Sequence, residues 1–180
     1  VRATVRNCEV RDCAGIGMHF LKSRDCRVEN VRVHDVGGMC VDFRDGESGA
    51  VVTGCELYEG GAFNSADPLL HLQLQKFVCT GNVLHDGPGC GATVWTSGSD
   101  FASNEIYRVM KTQRDGGGLY GASFESVFHD NYVHDITGWP GLYQDEGAMH
   151  ISLYGNRVEN CPWPIHFHST QFVTVTNNVM

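Results

Sequence analysis

The chain has 180 residues, with 13 Lys plus Arg against 21 Asp plus Glu, a net charge of −8 and only 19% charged residues. An acidic chain with no basic run disfavours nucleic acid or an anionic membrane as partner. No apolar run approaches the roughly 20 residues that span a bilayer.

Read from the N-terminus, one phrase recurs. Equivalent positions fall at Cys8, Val31, Cys55, Asn82, Asn104, Asn131, Asn156 and Asn178, spaced 23, 24, 27, 22, 27, 25 and 22. Two residues after the first seven sits an aliphatic (Val10, Val33, Leu57, Leu84, Ile106, Val133, Val158). Three before each sits another apolar residue (Val5, Val28, Val52, Cys79, Phe101, Phe128, Leu153, Val175). Around these anchors apolar and polar residues alternate, as in Tyr132-Val133-His134, which is the two-residue period of a half-buried strand. A unit this short cannot bury its apolar face alone, so successive units must stack about 4.8 Å apart. Joined by right-handed crossovers, they predict an all-β, right-handed parallel β-helix of about eight coils with three short strands per coil. Val1 already falls within a strand of the first coil, Met180 falls in the last, and neither end reads as a cap. The expectation is therefore one segment, 1–180, cut from a longer chain.

The anchor has its own physics. An Asn at an inward corner can turn the chain in a left-handed conformation and pass its side-chain amide to the next coil, so Asn82, Asn104, Asn131, Asn156 and Asn178 predict an asparagine ladder that Cys8, Val31 and Cys55 break. The eight cysteines are expected mostly as buried thiols. Cys8 and Cys55 lie two coils apart, too far for a bridge, and no CxxC pair or zinc spacing occurs.

The pattern Asn-x-aliphatic-His/Tyr-Asp followed by Gly-aliphatic-Tyr resembles the right-handed parallel β-helix repeat of the pectin-lyase-like superfamily. Asp115-Gly116-Gly117-Gly118-Leu119-Tyr120, Asn131-Tyr132-Val133-His134-Asp135 and Gly141-Leu142-Tyr143-Gln144-Asp145-Glu146-Gly147 resemble a run found in bacterial β-helix proteins assigned to glycoside hydrolases. The resemblance implies a secreted or periplasmic carbohydrate-active enzyme. It also makes Asp115 and Asp145 the natural acid/base and nucleophile candidates. The same scaffold also carries lyases, epimerases and adhesins, so the chemistry must come from the site.

If Ile16, Met39, Leu70, Ala92, Leu119, Leu142 and Ile165 point inward, one outward column reads Gly17, Cys40, His71, Thr93, Tyr120, Tyr143, His166. A second reads His19, Asp42, Gln73, Trp95, Ala122, Asp145, His168. Trp95, Tyr120 and Tyr143 offer flat faces with polar edges that suit sugar rings, with His71 and His166 beside them. Asp145 and His168 should be close enough for a direct hydrogen bond that sets the imidazole's tautomer. A third outward column, Arg11, His34, Tyr58, His85, Tyr107, His134, Glu159, is even along the chain and reads as a structural stack.

The two 27-residue coils carry the long loops Glu59 to Pro68 and Arg108 to Gly117, where functional residues concentrate. Asp115 closes the second. Glycoside hydrolysis needs two carboxylates, supplied by Asp145 with Asp115 or Glu146, supported by His166 and His168. A lyase or epimerase acting on a uronate would want a cationic clamp. Neither column contains Lys or Arg, only Lys111 and Arg114 lying nearby in the loop, so a neutral glycan is expected. No cofactor is expected. A Ca²⁺ at Asp42 or Asp145 would reverse that argument, although no calcium-loop spacing appears. A non-catalytic tailspike or adhesin shaft is the remaining alternative, and it predicts that Asp115, Asp145 and His168 do not converge.

Overall fold

The structure is a computed structural model that describes residues 2–180; Val1, assigned to the first coil by the sequence, lies outside the described residues. Among the described residues, twenty-two short strands build three parallel sheets, one of eight strands and two of seven, and each strand pairs with its equivalents in the adjacent coils. The result is a right-handed β-solenoid of seven full coils and the opening strand, Thr174–Thr176, of an eighth.

Each sheet sends one column of side chains inward. In the first sheet Val5, Val28, Val52, Cys79, Phe101, Phe128, Leu153 and Val175 stand one above another. In the second sheet Val10, Val33, Leu57, Leu84, Ile106, Val133 and Val158 do the same. From the second coil to the sixth these side chains are essentially without solvent contact, which is where a stack of identical coils makes its core. Cys40, Cys55, Cys79 and Cys90 are buried free thiols, and burial pushes Cys40 and Cys90 up to about 12, so they behave as small hydrophobes.

The asparagine ladder is present, with one correction. Asn82 Nδ2 donates to Asn104 Oδ1 at 2.8 Å, and the same bond at 2.9 to 3.0 Å links Asn104 to Asn131, Asn131 to Asn156 and Asn156 to Asn178. The left-handed corner, however, belongs to the residue before each anchor: Asn7, Asn30, Gly54, Gly81, Ser103, Asp130, Gly155 and Asn177 have φ between 52 and 66°. This division lets the ladder asparagine keep an ordinary backbone conformation while its side chain turns into the coil.

The even outward column is the structural stack it was expected to be. His34, Tyr58, His85, Tyr107 and His134 stack ring on ring at 4.6 to 4.9 Å. His34 Nδ1 lies 2.6 Å from Asp35 and Nε2 3.1 Å from Glu9 one coil earlier. The hydrogen bond with Glu9, then that with Asp35, raises the His34 pKa against the opposing effect of burial. A folded-state value above the unfolded one, about 6.5, gives stability that is complete at lower pH and is lost as pH rises through the folded value. Thermal stability should therefore fall as pH is raised from about 6 to 8, and His34→Gln should flatten that decline. An unchanged slope in the variant would remove His34 as its source.

Candidate functional site

The third sheet carries the site on its outer face. Strands Ala92–Ser97 and Leu119–Phe124 pair Thr93 with Tyr120 and Trp95 with Ala122. Strands Pro140–Gln144 and Trp163–Phe167 continue the first row through Tyr143 to His166. From the third coil onward the register is the expected one. In the first two coils it differs by two residues: Met18 pairs with Val41 and Val41 with Leu70, so that His19, Asp42 and His71 form one row. Gly17 and Cys40 are thus not outward neighbours of His71, and Asp42 is not level with Gln73. The position beside Gln73 belongs to Arg44, which follows Phe43, the partner of Leu72. The premise that the groove lacks a cation does not hold.

Asp145 is the centre of a hydrogen-bonded cluster drawn from three coils. Tyr120 Oη donates to its Oδ2 at 2.7 Å, Tyr143 Oη lies 3.3 Å from Oδ1, and His168 Nδ1 lies 2.9 Å from Oδ1. Burial alone would raise the Asp145 pKa. Donation from Tyr120, the Glu146 backbone N–H, His168 and Tyr143 outweighs burial and lowers it. Asp145 is consequently an ionised carboxylate at neutral pH. Burial first, and then the contact with Asp145, raises both phenols, Tyr143 to about 12, so each stays protonated as a donor. With Nδ1 facing the carboxylate, His168 turns Nε2 outward, 3.7 Å from Glu146 Oε1, on a half-exposed ring.

The remaining expected residues fall into place unequally. Trp95 is 38% exposed and meets Tyr120 edge-on with ring centroids 5.8 Å apart, so it keeps a face for a ligand. Tyr143 is 8% exposed and covered by Tyr120 and His166, with centroids at 4.9 and 4.6 Å. It is a donor to Asp145 and not a stacking platform, because its ring fills the row between two neighbouring coils. His71 lies three coils from Asp145, with Nδ1 2.7 Å from Thr93 Oγ1, and takes no part in the cluster.

Asp115 approaches from the loop. A Cβ on Gly117 would lie 2.8 Å from the Pro140 carbonyl oxygen and 3.3 Å from Tyr143 Cβ, so the missing side chain lets this loop lie directly against the third sheet. Asp115 is exposed there, and its charge adds to the raised pKa of both Tyr120 and Tyr143. Glu146 is exposed beyond His168. Sequence reasoning missed Phe124, which follows Ala122 on the same face, is 39% exposed and meets the His150 ring edge-on at 5.8 Å. Continuing the alternation one step past Ala122 would have found it. No group of three or more His, Cys, Asp or Glu side chains among the described residues converges to hold a metal ion, and Asp42 and Asp145 stand four coils apart.

The profile described as "Right handed beta helix region" matches residues 1–180, the whole chain. The chain belongs to the right handed beta helix family. No curated protein matches it in sequence. Among solved structures, this β-helix resembles a protein described as "Glycoside hydrolase" with a TM-score of 0.72 at 16% identity, over 91% of this chain and 38% of that one. It also resembles the Azotobacter vinelandii mannuronan C-5 epimerase AlgE6 A-module, with a TM-score of 0.76 at 14% identity, over 100% of this chain and 54% of that one. This β-helix thus spans 38% and 54% of the two neighbours' lengths. At such identities the likeness is one of fold.

Proposed function

We propose that this β-helix carries a carbohydrate-active site and that its reaction is glycoside hydrolysis, with Asp145 and Asp115 as the carboxylate pair. The observation that carries the reading is the environment of Asp145, an ionised, partly exposed carboxylate held on the outer face of the third sheet by two tyrosine hydroxyls and an imidazole. A carboxylate kept charged and fixed in orientation is what a nucleophile, or the stabiliser of an oxocarbenium-like transition state, must be. It is a poor general acid for the same reason. Asp115, exposed on the loop and acting on the same two tyrosines, is the candidate for protonating the leaving group. Trp95, with its open face, stacks a neighbouring sugar ring. The fold neighbours described as a glycoside hydrolase and a mannuronan C-5 epimerase are consistent with a glycan as substrate.

One observation favours a second reading. His168 leaves Nε2 outward on a half-exposed ring while Asp145 fixes its other nitrogen, which is an arrangement a general base can use. In that reading His168 takes the proton from the carbon next to a uronate carboxylate; Tyr120 then protonates that carbon from the opposite face to give an epimer, or the neighbouring C–O bond breaks and the leaving oxygen takes the Tyr120 proton, giving an unsaturated product.

The two are separated by products and by one variant. Hydrolysis yields new reducing ends without ultraviolet absorbance, and Asp115→Asn should lower kcat by about a hundredfold or more, the usual size of a general-acid contribution. Partial rescue is expected on substrates whose leaving group needs no proton. Full activity in Asp115→Asn together with an ultraviolet-absorbing product would replace hydrolysis by elimination.

A further inference from the structure

The outer face of the third sheet has a second polar centre, four coils from Asp145, that the proposed chemistry does not use. Its core is Asp42. The carboxylate has no solvent-exposed surface, and neither oxygen has a hydrogen-bond partner. A buried charge of this kind is costly unless it is paired. The nitrogens nearest it are His19 Nε2 at 3.5 Å, from the preceding coil, and Arg44 Nη2 at 3.4 Å, from its own strand, both on Oδ2. These two side chains are 42% and 44% exposed.

One buried carboxylate therefore holds two half-exposed nitrogen donors side by side at the groove. Nη2 is the guanidinium nitrogen nearest to Asp42, and the side chain is 44% exposed. Arginine has five N–H donors in a planar fork that matches a carboxylate bidentately, so a half-exposed guanidinium has donors beyond the one Asp42 engages. Arg44 is the only Lys or Arg on any strand of this sheet. It stands in one row with Gln73, Trp95, Ala122 and Asp145, so a chain lying along that row meets it about 19 Å from Asp145, at about 4.8 Å per coil. Asp67, which accepts from Asn64 at 2.9 Å on the long loop, lies within electrostatic reach of Arg44, and burial raises its pKa. His71, level with Asp42, is kept from protonating by burial and adds no charge of its own.

We propose that Arg44 and His19, backed by Asp42, form a subsite for a carboxylate carried on the glycan several sugars from the reacting bond, so that the preferred substrate is acidic. The inference rests on the reading that a glycan occupies this groove, and it adds the charge of the substrate. Asp42 is a positioning residue in it, and Arg44 is the group that touches the ligand.

The test uses the Asp145→Asn protein, so that nothing is turned over. Two calorimetric probes are compared, a galacturonate hexamer and the same hexamer with its carboxyls reduced to the neutral sugar. The acidic probe should bind at least tenfold more tightly. Arg44→Gln should bring the two affinities within about twofold, Arg44→Lys should keep part of the preference, and added salt should erode it in the Arg44 protein. A melting curve checks that each variant is folded, because removing Arg44 leaves the buried Asp42 with one nitrogen neighbour fewer; Arg44→Lys keeps a cation there and carries the test if Arg44→Gln unfolds. Equal affinities with Arg44 in place, a preference that survives Arg44→Gln, or no binding of either probe would overturn the inference. Binding of the neutral probe that depends on Trp95 would leave the glycan reading standing even then.

Discussion

Asp145→Asn should abolish turnover, lowering kcat by a factor on the order of a thousand or more, while the protein keeps its melting temperature within a few degrees and still binds glycan. The asparagine is nearly isosteric and can accept from Tyr120 or His168, so the row of side chains survives. What it loses is the negative charge that the cluster is built to hold. Both chemical readings need that charge. In hydrolysis it meets the developing positive charge on the sugar. In proton abstraction it fixes and supports the His168 imidazole. Undiminished activity with native stability would remove Asp145 from either mechanism, whereas loss of activity with loss of folding would call for Asp145→Ser before any conclusion.

The second large effect belongs to the scaffold. Asn131→Ala should cost about 3 to 5 kcal/mol, since an unsatisfied buried donor or acceptor costs about 1 to 3 kcal/mol. Asn131 Oδ1 accepts from the Asn104 backbone N–H and from Asn104 Nδ2, each at 3.0 Å, and its own Nδ2 satisfies the Phe101 carbonyl at 2.9 Å. Alanine removes these three bonds and a fourth, from Asn131 Nδ2 to Asn156 Oδ1 at 3.0 Å, inside the coil, and Asn104 Nδ2 keeps only its bond to the Cys79 carbonyl. At the open end of the ladder Asn178→Ala removes comparable bonds from a half-exposed position, where water can replace them, so about 1 kcal/mol is expected there. Equal costs at the two positions, read by denaturant unfolding, would show that the ladder does not derive its strength from burial.

Much of this molecule was legible in one dimension. The recurrence of an anchor followed by an aliphatic fixes which residues stack, and the Asp145 to His168 bond follows from that stacking alone. The register of the first two coils was not legible, for a simple reason. Alternation has a period of two, so a one-residue slip exposes the core and is detectable, but a two-residue slip leaves inward residues inward. Ile16 and Met18, or Met39 and Val41, fit the inward column equally well on that criterion. The structure chooses Met18 and Val41, and that choice moves Arg44 into the groove and changes the expected charge of the substrate.

The corner conformation was misplaced by one residue because Asx side chains fill both candidate positions in Asp130-Asn131 and Asn177-Asn178. Gly54, Gly81 and Gly155 were the available signal, since glycine marks the position that must be left-handed. Tyr143 was misjudged on exposure. A strand residue that alternates outward is still buried when rings occupy both neighbouring coils, and no pattern within a single coil reports that. Asp115 is a loop residue, and its place near the tyrosines depends on three consecutive glycines whose path periodicity does not specify.

The central claim is that side chains from successive coils and one long loop form a single site around Asp145. Its most direct test is a crystal structure of Asp145→Asn with a bound oligosaccharide. The account predicts one glycosidic bond lying over Tyr120 with residues 115 and 145 on either side, their carboxyl and carboxamide groups about 5 to 9.5 Å apart, the span that glycoside hydrolysis uses. A sugar bound on another sheet, or a separation well beyond that span with the loop closed on the ligand, would contradict it.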